Sequence, residues 1–224
     1  MGFAYNFTST DGFAVEYISR GFLMIEKQAM YQITYGLFAL TTREGEKDNG
    51  CIVNTVSMLT DEPKRIVVFV NKQNYSEGMI RRTGTFNVSV LTDKTPFDTF
   101  QWLGFSSGKD VDKFAGKTYP RSENGVYYLP ETANAVISAK VVDAYDYGTH
   151  TLFVAEVTEA KKLSDGKSVT YAQYLSDIKP KPSAAPSEKE KWVCSVCGYE
   201  HEGPLPDDFI CPWCKHPASD FVRL

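Results

Sequence analysis

Several short apolar-rich runs between residues 35 and 160 alternate apolar with polar positions, which predicts β-strands. Short runs rich in Val, Ile, Phe, Tyr and Thr recur with turn residues between them, a composition typical of pleated, half-buried strands. In TFNVSVL, for example, Phe86 and Val88 alternate with Asn87 and Ser89, which predicts a sheet with one face in a core. We predict strands in the runs YGLFALTT, CIVNTVSML, RIVVFVN, TFNVSVL, AVISAKVVDAY and HTLFVAEVTEA.

Helical patterns are scarcer. YSEGMIRRTG predicts a short helix with Ser76 as its N-cap and Gly84 just past its end, and SVTYAQYLSDI predicts another. Many short strands and few helices favour a closed or sandwiched antiparallel sheet over a doubly wound one. The predicted fold class is therefore mainly β.

A change of composition at residues 177–191 divides the chain. This segment, DIKPKPSAAPSEKEK, carries three prolines among Ser, Ala and charged residues. Proline at that density favours extended polyproline II geometry, at ~3.1 Å per residue. We predict a large domain over residues 1–176, a Pro-rich linker over 177–191 and a small domain over 192–224.

Charge and apolar runs limit the partners. The 24 basic and 28 acidic side chains give a formal net charge of −4. No basic cluster is present to bind phosphates, which argues against nucleic acid. The amino terminus lacks the blocks of a signal peptide, and no run approaches the ~18 to 20 apolar residues of a membrane span. We expect a cytoplasmic protein that binds neither nucleic acid nor a membrane.

Nucleotide-binding loops are also missing from the sequence. GFSSGKD, at residues 104–110, looks like a Walker loop, but it is one residue too short and has Asp110 where Ser or Thr should bind magnesium. No GxGxxG follows a predicted strand. Any nucleotide is therefore held in another way.

Four of the five cysteines form two CxxC pairs near the carboxyl end, thirteen residues apart. Two such pairs brought face to face place four sulfurs at tetrahedral positions, which either iron or zinc accepts, so the spacing leaves the metal open. A domain this small needs the metal in order to fold, and loss of any ligand should unfold it. The predicted ligands are Cys194, Cys197, Cys211 and Cys214. Cys51 stands alone in a predicted strand and is assigned no chemistry.

The small domain resembles a known family. WVCSVCGYEHEG and LPDDFICPWCKHPASDF are similar to a rubredoxin with the shortened loop of the rubredoxin-like tail of rubrerythrins. The resemblance implies one iron ion, Fe3+ or Fe2+, with a zinc ribbon as the alternative. Gly198 is expected at positive φ, and Lys215 replaces the usual second glycine. Four aromatic residues stand where rubredoxins pack rings around iron: Trp192, Tyr199, Trp213 and Phe221.

The large domain resembles the flavin reductase-like, FMN-binding split-barrel family. The resemblance rests on the blocks YGLFALTT, NGCIVNTVS, EPKRIVVFVNKQNYSEGMI, TGTFNVSVL, GFSSGKDVDKF and GTHTLFVAEV, in that order. It implies a homodimer of antiparallel barrels with FMN near the subunit interface. That fold agrees with the strand pattern, whereas the flavin is implied by the resemblance alone.

Residues in these blocks are suited to holding a flavin. Short polar side chains can hydrogen-bond an isoalloxazine edge or a ribityl chain, and a lysine can meet a phosphate. The alternative is that they are strand-end residues, solvated lysines and a capping loop. His150 is predicted to be catalytic, through contact with the flavin or orientation of a nicotinamide, or else to be a strand-end histidine bonded to backbone. The predicted flavin contacts are Asn54, Thr55, Ser57, Asn71, Lys72, Ser107, Gly108 and Lys113.

A flavin domain followed by a linker and a rubredoxin resembles the high-molecular-weight rubredoxins of anaerobes. This implies an NAD(P)H-dependent oxidoreductase that passes electrons from FMN to iron and on to a flavodiiron protein, which reduces nitric oxide or dioxygen. Two alternatives stay open: a flavin reductase that releases reduced FMN to a monooxygenase, and a flavin-less barrel with a zinc ribbon as an interaction module. The sequence carries no nicotinamide motif, so NADH, NADPH or a separate reductase remain possible donors.

Overall fold

The computed structural model describes residues 27–30, 32–180 and 190–224. The chain divides into two compact units, Met1–Ile33 and Thr34–Leu224. The described part of the first unit contains a short helix, α1, at Lys27–Met30. Of the predicted linker, residues 181–189 lie outside the described residues.

Seven antiparallel strands build one sheet in the second unit. Their order across the sheet is β2-β1-β5-β6-β7-β4-β3, which confirms the mainly β prediction. The strands are β1 Phe38–Glu44, β2 Lys47–Val53, β3 Val56–Thr60, β4 Arg65–Asn71, β5 Thr85–Leu91, β6 Ala133–Asp146 and β7 His150–Lys162.

The sheet closes into a barrel because of one short connection. Strands β2 and β3 occupy opposite ends of the strand order, yet only residues 54 and 55 separate them. In a flat sheet with strands ~4.8 Å apart, these edges would be roughly 29 Å from each other. The step from Val53 to Val56 spans at most ~11 Å. The sheet must curl until its edges meet, and the chain breaks the single strand predicted for CIVNTVSML into two at this corner.

The barrel interior is a continuous apolar core. Its side chains come from every strand that alternation identified, and most are fully buried. The largest are Leu40, Ile66, Val68, Val70, Phe86, Val88 and Phe153.

Strand β5 is buried on both faces, contrary to the prediction of one buried face. Asn87 and Ser89 are inaccessible because an irregular segment covers them. The Asn87 amide donates to the Ser122 hydroxyl at 2.9 Å and to the Val126 carbonyl at 2.9 Å. These polar residues satisfy backbone groups that a buried loop would otherwise leave unpaired.

Three further helices pack on the barrel: α2 Tyr75–Thr83, α3 Phe97–Gly104 and α4 Tyr171–Gln173, the last continued by a π-helical turn at Tyr174–Ile178. The α2 prediction is right at its end, where Gly84 has a φ of 68°. Its predicted cap is wrong, since Asn74 precedes the helix and Ser76 lies inside it. The Ser76 hydroxyl instead accepts a hydrogen bond from the buried Asn49 amide at 2.9 Å.

The carboxyl-terminal module has a three-stranded antiparallel sheet of its own. Its strands are β8 Lys191–Cys194, β9 Glu200–Glu202 and β10 Phe221–Arg223, in the order β10-β8-β9. Within the described ranges, no helix has the length and apolar character needed to cross a membrane.

Candidate functional site

The two CxxC pairs form matching turns. The Gly198 amide donates to the Cys194 carbonyl at 2.8 Å, and the Lys215 amide donates to the Cys211 carbonyl at 2.9 Å. Both turn residues have positive φ, 82° at Gly198 and 63° at Lys215. The predicted left-handed position of Gly198 is confirmed, and Lys215 adopts the same geometry although it has a side chain.

The turns bring four sulfurs together. The Sγ atoms of all four cysteines lie within 4.8 Å of one another. The separation is 3.5 Å between Cys194 and Cys214 and 3.4 Å between Cys197 and Cys211. Metal–sulfur bonds of ~2.3 Å place tetrahedral sulfurs ~3.8 Å apart, so the donor set fits one metal ion. Hydrogen bonding among these thiols lowers the pKa of Cys194 and raises the pKa of Cys197 and Cys214, so the four sulfurs interact as one group, and they bind a metal as thiolates.

Aromatic rings shield this metal centre, as the sequence predicts. Tyr199 lies edge-on to Trp213 with ring centroids 5.2 Å apart, and Phe221 packs into the same cluster. Cys194, Cys197 and Cys211 are buried, whereas Cys214 is only partly buried. Cys214 is thus the ligand through which the centre reaches the surface of the module.

The metal module contacts the barrel through an aromatic pair. Phe105, which follows α3, stacks on Trp213 with ring centroids 4.8 Å apart and planes at 14°. A second contact lies at Gly198, where an added Cβ would meet Cε of Lys179 at 2.9 Å. The first CxxC turn therefore packs closely on the segment that follows α4.

A cleft of about 350 Å³ lies between the barrel and the metal module. Ile52, Phe105 and Trp213 give it apolar walls, and Asn71 and Ser107 give it polar groups. Cys214 also lines it. The lining as a whole is more polar than apolar, so the cleft offers many hydrogen-bonding groups around a few apolar walls.

Asn71 and Ser107 are thus the two predicted flavin contacts that the structure brings to this cleft. Ser107 also lines a neighbouring groove of about 230 Å³ together with Lys72. The Lys72 ammonium pairs with the Asp146 carboxylate at 2.6 Å. Gly108 is buried, and a Cβ there would lie 2.1 Å from Asn49 Oδ1, so the chain needs glycine at this close approach.

Three other predicted contacts lie at the corner between β2 and β3. The Thr55 hydroxyl donates to the Phe69 carbonyl at 2.8 Å, and Ser57 is exposed on β3. Asn54 is half-buried beside Thr55. These residues do not line the cleft, and their contact with a flavin stays a prediction.

Lys113 is buried inside the large domain. Its ammonium donates to the Leu103 carbonyl at 2.6 Å and to the Gly50 carbonyl at 2.9 Å. Burial lowers its pKa, an effect that the nearby Cys51 partly opposes. In this arrangement Lys113 ties α3 to β2, and its predicted flavin contact is untested.

His150 begins β7 directly opposite Asn71 of β4. Its Nδ1 lies 2.9 Å from the Thr149 hydroxyl. The predicted catalytic histidine is therefore next to a residue of the cleft, although its role stays a prediction.

Sequence reasoning missed several residues of the cleft. Gln73 and Asn74 line it and belong to the quoted block EPKRIVVFVNKQNYSEGMI, while Phe105 and Ser106 belong to GFSSGKDVDKF. All four residues thus lie in sequence blocks on which the family resemblance rests, so those blocks could have pointed to them. Phe105 stood out less because an aromatic residue after a helix is usually part of a core.

The fold and the site define a class of protein in which a flavin reductase-type barrel is joined to a four-cysteine metal module. The model of the flavin reductase like domain family matches residues 30–176, and that of the rubrerythrin, rubredoxin-like domain matches residues 192–222. The chain belongs to the flavin reductase-like family and carries a rubredoxin-like domain. It is similar to the high molecular weight rubredoxin of Moorella thermoacetica, with 33% identity over 89% of this chain and 100% of the relative.

Other relatives match the barrel. The ferric-chelate reductase (NAD(P)H) of Archaeoglobus fulgidus is 40% identical over 67% of this chain and 89% of the relative. The reductase component of the FADH(2)-dependent resorcinol hydroxylase of a Rhizobium species is 32% identical over 58% of this chain and 73% of the relative. The crystal structure of an FMN-binding protein from Thermus thermophilus has a TM-score of 0.54 at 23% identity, covering 73% of this chain and 86% of that one. This last likeness shows the fold.

The cofactors follow from the two families and agree with the site. The flavin reductase family binds FMN and uses NAD(P)H, and the rubredoxin-like domain with its four cysteines indicates one iron ion. The apolar walls and amide and hydroxyl groups of the cleft suit a flavin ring. The sulfur spacing suits iron in four thiolates.

Proposed function

We propose that this chain takes electrons from NAD(P)H into FMN on the barrel, passes them to the rubredoxin iron and delivers them to a flavodiiron protein that reduces nitric oxide or dioxygen. One observation carries the internal part of this route. The cleft places Asn71 and Ser107 of the barrel beside Cys214 of the metal centre.

The two cofactors differ in the number of electrons they handle. Bound FMN would supply the change in electron number: the hydride that converts NAD(P)H to NAD(P)+ carries two electrons, and these would reduce two ferric ions one after the other to ferrous. The chain's own residues bind and orient the flavin and the nicotinamide. Asn71 and Ser107 hydrogen-bond the flavin edge, and His150, beside Asn71, orients the nicotinamide. Phe105 and Trp213 exclude water between the two centres.

The acceptor is proposed from similarity and from charge. The chain resembles a high molecular weight rubredoxin over that relative's full length. From residue 192 onward, five acidic side chains stand against two basic ones. An acidic carrier favours fast, salt-sensitive encounters with a basic patch on the partner. Free thiols and thiolate ligands suit a reducing compartment, so we place the protein in the cytoplasm.

We also propose that the barrel forms a homodimer through the outer face of β4, β7 and β6. Phe69, Leu152 and Tyr145 stand opposite one another across these strands. Phe69 is 39% exposed and Tyr145 is 47% exposed. Exposed apolar patches of this kind mark interfaces. Thr55 is bonded to the Phe69 carbonyl, so a second copy on this face lies close to the predicted flavin contacts at the corner.

The function is tested by exchanging iron for zinc in the full chain. Zinc keeps the four-thiolate geometry but does not change oxidation state. We expect NADH to reduce the flavin of both forms and only the iron form to pass electrons to a flavodiiron protein under anaerobic conditions. Equal transfer by the zinc form would show that the flavin serves the acceptor directly.

A second candidate function is supply of free reduced flavin to a monooxygenase. It is favoured by the similarity to the resorcinol hydroxylase reductase component. The two candidates differ in flavin retention. Stoichiometric FMN after gel filtration supports the internal relay, and loss of FMN with full NADH:FMN reductase activity supports the alternative.

A further inference from the structure

The exposed edge of the metal centre is the edge that packs on the barrel. Cys194 and Cys211 are 0% exposed and Cys197 is 5% exposed, whereas Cys214 is partly accessible. Cys214 is thus the most accessible ligand, and Cys197, which lines the neighbouring pocket, faces the barrel on the same side of the module. We call the surface formed by Trp213, Cys214 and Lys215 the Trp213 edge.

The barrel occupies this edge in the described structure. Phe105 stacks on Trp213 at 4.8 Å between ring centroids. The remaining residues of the edge face the cleft that the barrel completes with Asn71 and Ser107. An external protein cannot cover the Trp213 edge while Phe105 does.

We infer that the module uses the Trp213 edge both to dock on its own barrel and to dock on its external acceptor, so that the two contacts exclude each other. This inference rests on the proposed function and adds a gate to it. The docked module receives an electron from the barrel. After release, ferrous iron gives that electron to the acceptor and returns to ferric.

The contact between the module and the barrel is interrupted. A partly open pocket of about 170 Å³ lies beside the stacked rings, between Val196 and Cys197 on the module and Phe100 and Tyr174 on the barrel. The side chains around this pocket do not touch across it, so they add little dispersion attraction to the contact. The aromatic stack therefore supplies much of the specific contact, with Lys179 packed on Gly198 at the other end.

Docking sets the apparent affinity for the acceptor. If only the undocked fraction of molecules can bind, the apparent dissociation constant rises as that fraction falls. Weakening the internal contact should thus have opposite effects on the two transfers. Iron reduction by the barrel slows, while the KM for an external acceptor decreases.

Two valines of the module give a matched pair of variants. Val196 is half-buried at the docking face, and Val222 is 55% exposed on β10. Val196→Gln should weaken docking, and Val222→Gln should leave it unchanged. On the barrel side, Phe105→Ala should undock the module and Phe105→Tyr should keep it docked, because the tyrosine ring preserves the stack.

Docking is measured first, without any electron transfer, by ¹⁵N relaxation on the full chain with zinc in the four-cysteine site. In the wild type, Val222→Gln and Phe105→Tyr, we expect the module to tumble with the correlation time of the barrel. In Val196→Gln and Phe105→Ala, we expect a shorter correlation time, from a loss of about tenfold in the docked population ratio. Independent tumbling of the wild-type module would overturn the inference.

The gate is measured next by stopped flow on flavin-free protein: the iron is reduced with dithionite, the excess dithionite is removed because it would itself reduce haem, and cytochrome c, a basic one-electron acceptor, is added in excess. The cytochrome c concentration that half-saturates the single-turnover rate is taken as the KM. One electron leaves ferrous iron and reduces one ferric haem. We expect Phe105→Ala, which leaves the surface of the module unchanged, to lower the KM for cytochrome c several-fold, up to about tenfold, and Val222→Gln to match the wild type. An unchanged or higher KM in Phe105→Ala contradicts the shared edge. Because dithionite supplies the electron, this result does not depend on the proposed transfer from flavin.

Discussion

At the residue scale, the metal module depends on two backbone positions that have the same geometry and different side chains. Gly198 and Lys215 close equivalent turns at positive φ. For a residue with a Cβ, that conformation costs about 1 kcal/mol or more. The turn positions were readable from CSVCGY and CPWCKH, since each follows a CxxC pair. For the strain at Lys215, the sequence contains one indication: a lysine stands where the family resemblance predicts glycine.

Lys215→Gly should therefore stabilise the module. Relief of the strained φ is offset in part by the greater freedom of glycine in the unfolded chain, which leaves a gain of up to about 1 kcal/mol. The measurement is the guanidinium midpoint of the iron-bound chain, followed through the thiolate-to-iron absorption band. Gly198→Ala is the control, and we expect it to lower the midpoint. A midpoint that falls for both variants would refute this account of Lys215.

Lys113 is a buried cation held by two backbone carbonyls. Lys113→Met removes the charged donor, so both carbonyls lose this hydrogen bond. The substitution should lower the free energy of unfolding by about 2 to 3 kcal/mol. Urea unfolding of the large domain, followed by tryptophan fluorescence, measures this. A variant of normal stability that no longer binds FMN would instead indicate that Lys113 acts on the cofactor.

The pKa of Lys113 adds a pH signature. Its folded-state pKa lies below the usual 10.5 because burial disfavours the charge. Between these two values the unfolded chain binds more protons, so the Lys113 contribution to stability increases with pH. We expect the wild type to gain stability relative to Lys113→Met as pH rises toward 10.5. A stability difference that does not change with pH would contradict a shifted pKa.

At the scale of elements, α2 is fixed to the sheet by a buried carboxylate. The Glu77 side chain accepts from the Thr151 hydroxyl at 2.5 Å and from the Arg81 guanidinium at 2.8 Å. Glu77 is 7% exposed and Thr151 is 0% exposed. This network joins α2 to β7, and both elements supply residues near the cleft.

Thr151→Val should loosen this attachment. It removes one donor to a buried carboxylate while keeping the volume of the side chain, at a cost of about 1 to 3 kcal/mol. Thr158→Val, at an exposed position in the same strand, is the control: it removes a longer hydrogen bond, from the Thr158 hydroxyl to the Ser138 carbonyl at 3.2 Å, and should cost no more than about 0.5 kcal/mol. Thermal unfolding of the two variants compares them, and equal losses would show that β7 itself, not the Glu77 contact, is responsible.

The elements were largely predictable because hydrophobic alternation reports directly on strands. All predicted strands are present, and Gly84 ends α2 as its missing Cβ allows. The errors arose where contacts between distant parts of the chain decide the local structure. Ser76 looked like a cap because its partner, Asn49, lies on a distant strand. The break at Asn54 and Thr55 exists because the sheet closes there, which a local pattern does not record.

At the scale of the whole molecule, the outer sheet face of Phe69, Leu152 and Tyr145 predicts self-association. Phe69→Lys places a charge in this face and should convert the dimer to a monomer, because an unpaired charge in an interface is costly. Sedimentation velocity at micromolar concentration measures the change. Val111→Lys, at a 47% exposed position outside this face, should sediment as the wild type does. A Phe69→Lys protein that remains dimeric would mean that the subunits meet elsewhere.

The family resemblance anticipated both modules, their cofactors and Asn71 and Ser107 of the cleft. It did not reveal how the modules meet. Phe105 and Trp213 are far apart in sequence, and each has an ordinary explanation as a core aromatic residue. Their stacking depends on the fold of both modules together. The aromatic pair that joins the two modules is therefore the part of the site that only the structure supplied.

The central claim is that electrons pass within one chain from a nicotinamide through the barrel's flavin to the iron beside Cys214. Anaerobic titration of the purified, iron-loaded protein with NADH, followed by visible absorption, tests it most directly. We predict that the flavin band and the ferric-thiolate band both bleach. If the flavin band bleaches while the iron stays ferric, the two centres do not exchange electrons and the account is contradicted.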